Sequence, residues 1–185
     1  MNLSGLHANS VAPILVSREQ GRRKSTFCRS LMPDVLMRYY TDNLKLTSQG
    51  QAERLLAEMG LLNMDEFDKY AETKMPLLKN LMQMSTLNIR KAYQQSFRQL
   101  PRVASFIGTS NRFDLLTDPT GSRRFLCVEV KHNIDCTHIE HDQIFAQLKA
   151  ELSAGRRNWF TKKEEEELQR HNEKFYRISL CLLYT

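Results

Sequence analysis

The chain has 185 residues, a formal net charge of +6 and a sequence pI near 9.2. Hydrophobic residues make up 41% and charged residues 26%, a balance that excludes fibrous and low-complexity chains. The basic excess favours polyanionic partners but, because it is spread along the chain, it does not by itself identify a nucleic-acid-binding protein. None of the four cysteines forms a Cys-x-x-Cys pair, and no apolar run is long enough to cross a bilayer. We therefore expect a soluble, cytoplasmic protein with free thiols and no membrane contact.

A buried strand is predicted from Ser10 to Ser17, and it runs directly into the basic loop R-E-Q-G-R-R-K-S-T. The loop ends in Lys24-Ser25-Thr26, as phosphate-binding loops of the pattern G-x-x-x-x-G-K-[ST] do. Arg18 and Arg23 stand where that pattern has glycine. The following residues predict a short helix that ends at Pro33. Strand, loop and helix in this order are the context that a phosphate loop requires.

The middle of the chain alternates helix and strand signals. Residues 48–60 and 76–84 predict two helices, and an apolar strand from residue 61 leads to the acids Asp65 and Glu66. The basic stretch 85–102 predicts a loop or a hairpin. Residues 103–111 predict a strand that ends in Gly-Thr-Ser-Asn, and a further strand is predicted from about Arg124 to Val130.

Two helices that open with capping boxes are predicted near the C-terminus. The first has Thr137 and Glu140 at the capping positions, and the second has Thr161 and Glu164. One face of the first helix carries the apolar residues Ile144, Phe145, Leu148 and Leu152. Trp159 and Phe160 are expected to pack at the junction between the helices. We divide the chain into a core at 1–135 and a helical extension at 136–185, and the abrupt ends predict a piece of a longer protein with a truncated extension.

Three polar groups that follow predicted strands could form a nucleotide site. One carboxylate of Asp65-Glu66 would hold Mg²⁺ and the other would polarise the attacking water, unless the pair is only a surface turn. Asn111 could contact a γ-phosphate or orient water, or it could simply end its strand. Arg123 and Arg124 could supply an arginine finger or form a basic surface turn.

Taken in this order, the motifs resemble the virulence-associated protein E family. That family carries a helicase-like P-loop ATPase domain related to the superfamily-three and poxvirus-type primase-helicases of phages and mobile elements. The most specific parts are "ILVSREQGRRKSTFCRSLMP" and "LPRVASFIGTSNRFDLLTDPTGSRRF", and the similarity runs from about Ala12 to Phe160. The resemblance implies an α/β fold, a P-loop AAA+-like ATPase core with a mainly helical C-terminal portion, and a role in DNA replication.

The resemblance also implies ATP and Mg²⁺ as cofactors and assigns residues to them. The nucleotide-binding residues would be Gly21, Arg22, Arg23, Lys24, Ser25 and Thr26. Ser25 and Asp65 would hold Mg²⁺, and the catalytic residues would be Glu66, Asn111 as the sensor, and Arg123 or Arg124 as the finger. Because such fingers act across a subunit boundary, the active protein is expected to be a homo-oligomeric ring, a hexamer.

The stretch 85–102 coincides, by the same resemblance, with a pore hairpin that touches single-stranded or forked DNA. The candidate contacts are Arg90, Lys91, Tyr93 and Arg98, since basic residues neutralise phosphates and aromatic rings stack on bases. The alternative is a surface hairpin whose aromatic side chains pack on the core.

The missing glycines leave two functions open. In one, Arg22 or Arg23 replaces backbone N–H groups at the phosphates, and the domain couples ATP to DNA unwinding or remodelling. In the other, the phosphate loop is degenerate and the domain is a non-hydrolysing DNA-binding or assembly module. Glycine permits the positive φ that lets the loop approach phosphates closely, so the backbone at Arg23 is critical.

Overall fold

A computed structural model of the chain describes residues 9–46, 49–70, 72–90, 97–118 and 122–177. Within these ranges, strands and helices alternate as far as residue 83, and four strands followed by two helices come after it. The strands are β1 (Ala12–Val16), β2 (Tyr40–Thr41), β3 (Leu61–Met64), β4 (Thr86–Arg90), β5 (Phe97–Pro101), β6 (Ser105–Ser110) and β7 (Phe125–Glu129). The α-helices are α1 (Lys24–Ser30), α2 (Gln49–Glu58), α3 (Met75–Gln83), α4 (His141–Ser153) and α5 (Lys162–His171). Short 3₁₀ helices lie at Asp34–Tyr39, Phe67–Lys69, Glu72–Lys74, Ser122–Arg124 and Glu173–Phe175.

The central sheet has five parallel strands in the order β2-β3-β6-β1-β7. Val16 at the end of β1 lies opposite Ser110 at the end of β6, and Met64 at the end of β3 lies opposite Gly108. Because parallel strands share their direction, the residues that follow β1, β3 and β6 meet at one edge of the sheet, where ligands bind in open α/β sheets.

The two faces of the sheet are covered by different helices. Leu15 and Ile107 pack with Cys28 of α1 in a small cluster on one face. The neighbouring strand residues Ile14 and Val16 belong to a larger cluster that includes side chains of α2 and α3. Successive residues of a strand therefore point to opposite faces, and both faces are buried, as the near-continuous apolar run of β1 predicts.

The basic stretch forms a hairpin, which confirms one of the two predicted alternatives. β4 and β5 are antiparallel, with Ile89 opposite Arg98. The base of this hairpin is fastened by Arg102, which is 8% exposed and donates hydrogen bonds to the carbonyl oxygens of Met84 (2.7 Å), Ala104 (2.7 Å) and Asn9 (2.6 Å). Burial lowers the pKa of Arg102 to about 10.

The outer edge of β7 is covered by side chains instead of another strand. The amide oxygen of Asn172 accepts a hydrogen bond from the N–H of Cys127 at 3.3 Å, and its Nδ2 donates to the carbonyl of Phe125 at 2.6 Å. His171 Nε2 lies 2.8 Å from the carbonyl oxygen of Cys127. These contacts satisfy backbone groups that an edge strand would otherwise present to another chain.

The predicted capping boxes have different outcomes. Thr161 and Glu164 form one at the start of α5, with the Thr161 N–H donating to Glu164 Oε2 at 2.6 Å. The prediction for Thr137 and Glu140 is wrong, because α4 begins at His141 without a side-chain cap. The Thr137 hydroxyl and N–H donate instead to Asp135 Oδ1, at 2.6 and 2.9 Å. The nearby carboxylate thus forms a local turn that competes with the cap.

Trp159 and Phe160, which were predicted to pack at a helix junction, lie between α4 and α5 and are 43% and 40% exposed. The four apolar residues of α4, namely Ile144, Phe145, Leu148 and Leu152, are 44–59% exposed. No helix within the described ranges has the length and apolar character needed to cross a bilayer.

Candidate functional site

The loop between β1 and α1 enters the left-handed backbone region twice. Gly21 has a φ of +79° and Arg23 a φ of +61°. An arginine therefore adopts the positive φ for which phosphate loops use glycine, at a cost of about 1–2 kcal/mol. The loop thus has the backbone conformation of a glycine at this position although the residue is Arg23.

Hydrogen bonds from outside the loop hold this conformation. The N–H of Ile134, in the segment after β7, donates to the carbonyl oxygen of Arg22 at 3.2 Å. The thiol of Cys136 lies 3.9 Å from the carbonyl oxygen of Arg23. The Arg22 guanidinium forms an ion pair with Glu19 at 2.5 Å. Such partly exposed pairs contribute little to stability, so Arg22 can exchange Glu19 for another anion at small cost.

Lys24, the first residue of α1, is the most buried cation at this edge of the sheet. It is only 7% exposed. Its Nζ donates to Asn111 Oδ1 at 3.0 Å and lies 3.5 Å from the carbonyl oxygen of Ser17. Burial lowers the pKa of Lys24, and the negative charges of Asp65 and Asp68 partly offset this effect. The ammonium is therefore directed to the point where β1 and β6 end.

Asp65 joins the loop to the ends of two other strands. Its Oδ1 accepts hydrogen bonds from the Ser25 hydroxyl at 2.7 Å and from the Thr109 hydroxyl at 2.6 Å. Thr109 Oγ1 in turn accepts from the N–H of Glu66 at 3.2 Å. A serine hydroxyl next to a carboxylate fits Mg²⁺, which is usually held by one or two such oxygens while phosphate oxygens and waters supply the rest. Thr26 is exposed in the first turn of α1.

Glu66 makes a different contact from its neighbour Asp65. It has a φ of +52°, so the chain turns sharply directly after Asp65. Its carboxylate pairs with Lys69 Nζ at 2.6 Å, and this hydrogen bond raises the pKa of Lys69. The two acids of the predicted pair therefore serve different partners, Asp65 the loop and Glu66 a surface lysine.

Thr109 and Asp68 belong to this site although the sequence analysis did not assign them. Asp68 accepts hydrogen bonds from the Ser110 hydroxyl at 2.8 Å and from the N–H of Asn111 at 3.4 Å. It therefore fixes the turn that presents Asn111 to Lys24. The sequence offered little signal for either residue. Asp68 is marked only by its position three residues after Asp65, and the 3₁₀ turn Phe67–Lys69 that contains it does not include Asp65.

The residues predicted to form the arginine finger and the DNA-binding hairpin do not contact the loop or the acids in this structure, as far as they are described. Arg123 pairs with Glu165 of α5 at 3.3 Å, and burial lowers the pKa of Arg124. Arg98 is exposed on β5, and Arg90 ends β4. Lys91 and Tyr93 lie outside the described residues.

The fold and the site described above can be compared with those of known proteins. A domain model described as "Virulence-associated protein E-like domain" matches residues 5–177. Among solved structures, the apo structure of the NrS-1 C terminal region (305–718) is 17% identical with a TM-score of 0.53, over 92% of this chain and 37% of that one. The A form apo structure of this region is 19% identical with a TM-score of 0.50, over 91% and 35%. No curated protein matches the chain.

Identities this low establish similarity of fold alone, and the chain spans only about a third of the length of these structures, at 35–37%. They support a mixed α/β fold with a parallel central sheet. The domain model covers most of the sequence, from residue 5 to residue 177. The chain therefore belongs to the virulence-associated protein E-like family.

Proposed function

We propose that the chain is a P-loop, AAA+-like nucleotide-binding core that couples ATP to DNA unwinding or remodelling during replication of a phage or other mobile element. One observation carries the proposal: the Lys24 ammonium bonds to Asn111 at 3.0 Å while Ser25 bonds to Asp65 at 2.7 Å. These four residues come from three separate parts of the chain and meet at the carboxyl edge of a parallel sheet. That edge is the usual ligand site of such sheets.

Each of these residues has a distinct role in the proposal. Lys24 would bind the β- and γ-phosphates in exchange for its bond to Asn111. Asn111 would then be available to orient water while Asp68 still holds its backbone N–H. Ser25 and Asp65 would hold Mg²⁺. ATP and Mg²⁺, when bound, supply the phosphoryl group and the charge that neutralises its oxygens.

A second function, nucleotide or DNA binding without hydrolysis, is favoured by the contacts of the predicted catalytic groups. The Glu66 carboxylate is paired with Lys69 at 2.6 Å, and Arg123 is paired with Glu165 at 3.3 Å. The groups that would bind ATP are thus assembled, whereas two groups that would promote hydrolysis are engaged with other partners. The Glu66–Lys69 pair is exposed and the Arg123–Glu165 pair is partly exposed, so each can open at little cost.

ATP titration of the 185-residue protein tests the first function. Lys24→Ala removes the ammonium directed at the phosphates and should weaken ATP binding at least a hundredfold. Lys162→Ala, an exposed lysine at the start of α5, is the matched control and should bind as the wild type does. Equal affinities for wild type and Lys24→Ala would rule out this nucleotide site.

Steady-state hydrolysis separates the two functions. ATP binding without measurable turnover supports the second. Lys69→Ala removes the partner of Glu66 and should raise turnover if Glu66 is the group that polarises water. If neither Lys69→Ala nor Glu66→Gln changes the rate of ATP turnover, Glu66 takes no part in the reaction.

The proposal includes assembly as a ring and a DNA strand as partner. Arg123 and Arg124 precede β7 and would reach the nucleotide of a neighbouring subunit, as fingers do in related motors. Light scattering combined with an ATPase assay tests this part. Robust hydrolysis by a strictly monomeric sample would contradict a finger supplied by a neighbour.

A further inference from the structure

Thr109 brings a buried hydroxyl group to the carboxyl edge of the central sheet. The residue is 3% exposed and lies beside Leu15 of β1 in the sheet. It follows Ile107 by two positions, so its side chain points to the same face of the sheet, the face that α1 covers. Burying a hydroxyl group costs free energy unless the group finds hydrogen-bond partners, so the partners of Thr109 indicate what its hydroxyl does.

The hydroxyl of Thr109 bonds to both members of the acidic pair. It donates to Asp65 Oδ1 at 2.6 Å and accepts from the N–H of Glu66 at 3.2 Å. Glu66 has a φ of +52°, so the backbone turns directly after the carboxylate that Thr109 holds. Thr109 therefore fixes the side chain of one acid and the backbone of the other.

The two oxygens of the Asp65 carboxylate have different surroundings. Oδ1 accepts hydrogen bonds from two hydroxyls, that of Thr109 at 2.6 Å and that of Ser25 at 2.7 Å. Among the described residues, Oδ2 has no hydrogen-bond donor. One oxygen is thus held by the protein, and the other is available to a metal ion or to a water molecule bound to that ion.

The two hydroxyls that hold Oδ1 differ in their access to a ligand. Ser25 is exposed in the first turn of α1 and is itself a proposed metal ligand, so it would leave Oδ1 when it binds Mg²⁺. Thr109 is buried in the sheet, so its hydroxyl can keep its bond to Oδ1 while the metal ion is bound. Thr109 is then the donor that remains on Asp65.

We infer that Thr109 is a positioning residue for the metal ion of the proposed nucleotide site. Its hydroxyl holds Oδ1 of Asp65 and thereby leaves Oδ2 available to Mg²⁺. This role rests on the proposed function, because it needs a site that takes Mg²⁺ together with ATP. Hydrogen-bond partners of metal ligands typically contribute about 10–100-fold to metal affinity. A residue that only fills the core would instead change the stability of the fold and leave the Mg²⁺ requirement as it is.

Titration of ATP binding with MgCl₂ tests the role of this hydroxyl. Thr109→Val replaces the hydroxyl with a methyl group of similar size, whereas Thr109→Ser keeps the hydroxyl. ATP binding in excess EDTA depends on Lys24, so the wild type and both variants should agree within about twofold. The Mg²⁺ concentration that gives half of the gain in ATP affinity should rise about tenfold or more for Thr109→Val and stay within about threefold of the wild type for Thr109→Ser. Thr41→Val is the matched control on the edge strand β2, where the hydroxyl accepts from the N–H of Asn43 at 3.2 Å, and it should respond to Mg²⁺ as the wild type does.

The same titrations separate this role from the proposed function. Circular dichroism and urea unfolding establish that each variant is folded, and Thr109→Ala replaces Thr109→Val if the valine variant does not fold. Equal Mg²⁺ dependence of the wild type and the valine variant overturns the inference but leaves the nucleotide site intact. So does a loss of ATP affinity that is the same with EDTA and with Mg²⁺, a serine variant that behaves like the valine variant, or a wild type whose ATP affinity Mg²⁺ does not raise. A wild type that binds no ATP overturns the proposed function together with the inference.

Discussion

Replacing Arg23 tests whether the phosphate loop is strained at the position where glycine is missing. Arg23 has a φ of +61° and a ψ of 25°, which is the left-handed region. Arg23→Gly removes the Cβ and hence the strain, but it also removes the guanidinium. Arg23→Ala removes the same guanidinium and keeps the Cβ. The difference between the two variants therefore isolates the backbone effect.

The expected size of this difference follows from two opposing terms. A side chain at this φ costs about 1–2 kcal/mol relative to the right-handed region. Glycine makes the unfolded chain more flexible than alanine does, which opposes the gain by about 0.4–1 kcal/mol. Arg23→Gly should therefore be more stable than Arg23→Ala by about 0.8 kcal/mol, within a range of roughly 0–1.6 kcal/mol. For a chain of this size the melting temperature would differ by about 1–4 °C.

Urea unfolding of the two variants measures the difference directly. Equal stabilities, or a less stable glycine variant, would refute the assignment of strain at Arg23. ATP titration of the same proteins gives a second result. If both variants bind ATP less tightly than the wild type, the Arg23 guanidinium contributes to phosphate binding. If only Arg23→Gly binds more tightly, backbone freedom has been limiting.

Three further predictions concern buried groups. Arg102→Met should lower the free energy of unfolding by about 3–5 kcal/mol, because it leaves buried carbonyl oxygens without hydrogen-bond donors. A loss under about 1 kcal/mol in urea unfolding would contradict the role of Arg102 at the base of the hairpin. Because burial lowers the pKa of Lys24 from its usual 10.5, its ammonium loses its proton at a lower pH than other lysines do. ATP affinity in titrations from pH 7 upward should therefore fall at a lower pH than an ordinary lysine would give, and an affinity that stays constant to pH 10.5 would contradict this. Burial raises the pKa of Cys28 and Cys127 to about 12. Among the three cysteines within the described residues, a maleimide at pH 7.5 should therefore label Cys136 first, and equally fast labelling of Cys28 by peptide mapping would be inconsistent with the fold.

Much of the sheet could be predicted because its strands have strong local signals. β1, β3, β6 and β7 are short apolar runs, and each is followed by polar or turn residues. Parallel strands end at one edge, so the contact between Ser25 and Asp65, 40 residues apart, follows from the order of the elements. β2 was missed because it has only two residues, Tyr40 and Thr41, and carries no period of its own.

The remaining features depend on contacts that sequence patterns do not encode. A serine, threonine or aspartate after a strand can end the strand or bind another side chain, and only the fold shows that Thr109 bonds to Asp65. Thr137 fits the capping pattern, but Asp135 two residues earlier competes for its hydroxyl. The apolar period of α4 predicts which face is apolar and does not predict what covers that face.

The hairpin provides the last prediction, which concerns DNA. Arg98 on β5 is exposed, and the neighbouring Phe97 is 66% exposed, so both side chains can contact a DNA strand at the protein surface. Each phosphate that a cation neutralises releases counterions, and the slope of log K against log salt falls by about one when that cation is removed. Arg98→Gln should therefore flatten the slope for single-stranded DNA by about one, and Phe97→Ser should weaken binding by about 1–3 kcal/mol without changing the slope.

Lys45→Gln, an exposed lysine between β2 and α2, is the control and should leave both quantities unchanged. Arg90→Ala combined with Lys91→Ala should flatten the slope by about one to two while ATP affinity stays constant. Arg102 fastens the base of the hairpin, so Arg98→Gln and Phe97→Ser change exposed side chains without loosening its attachment. If the slope is the same for the wild type, Arg98→Gln and the double variant, then Arg90, Lys91 and Arg98 do not contact DNA and the contact lies elsewhere.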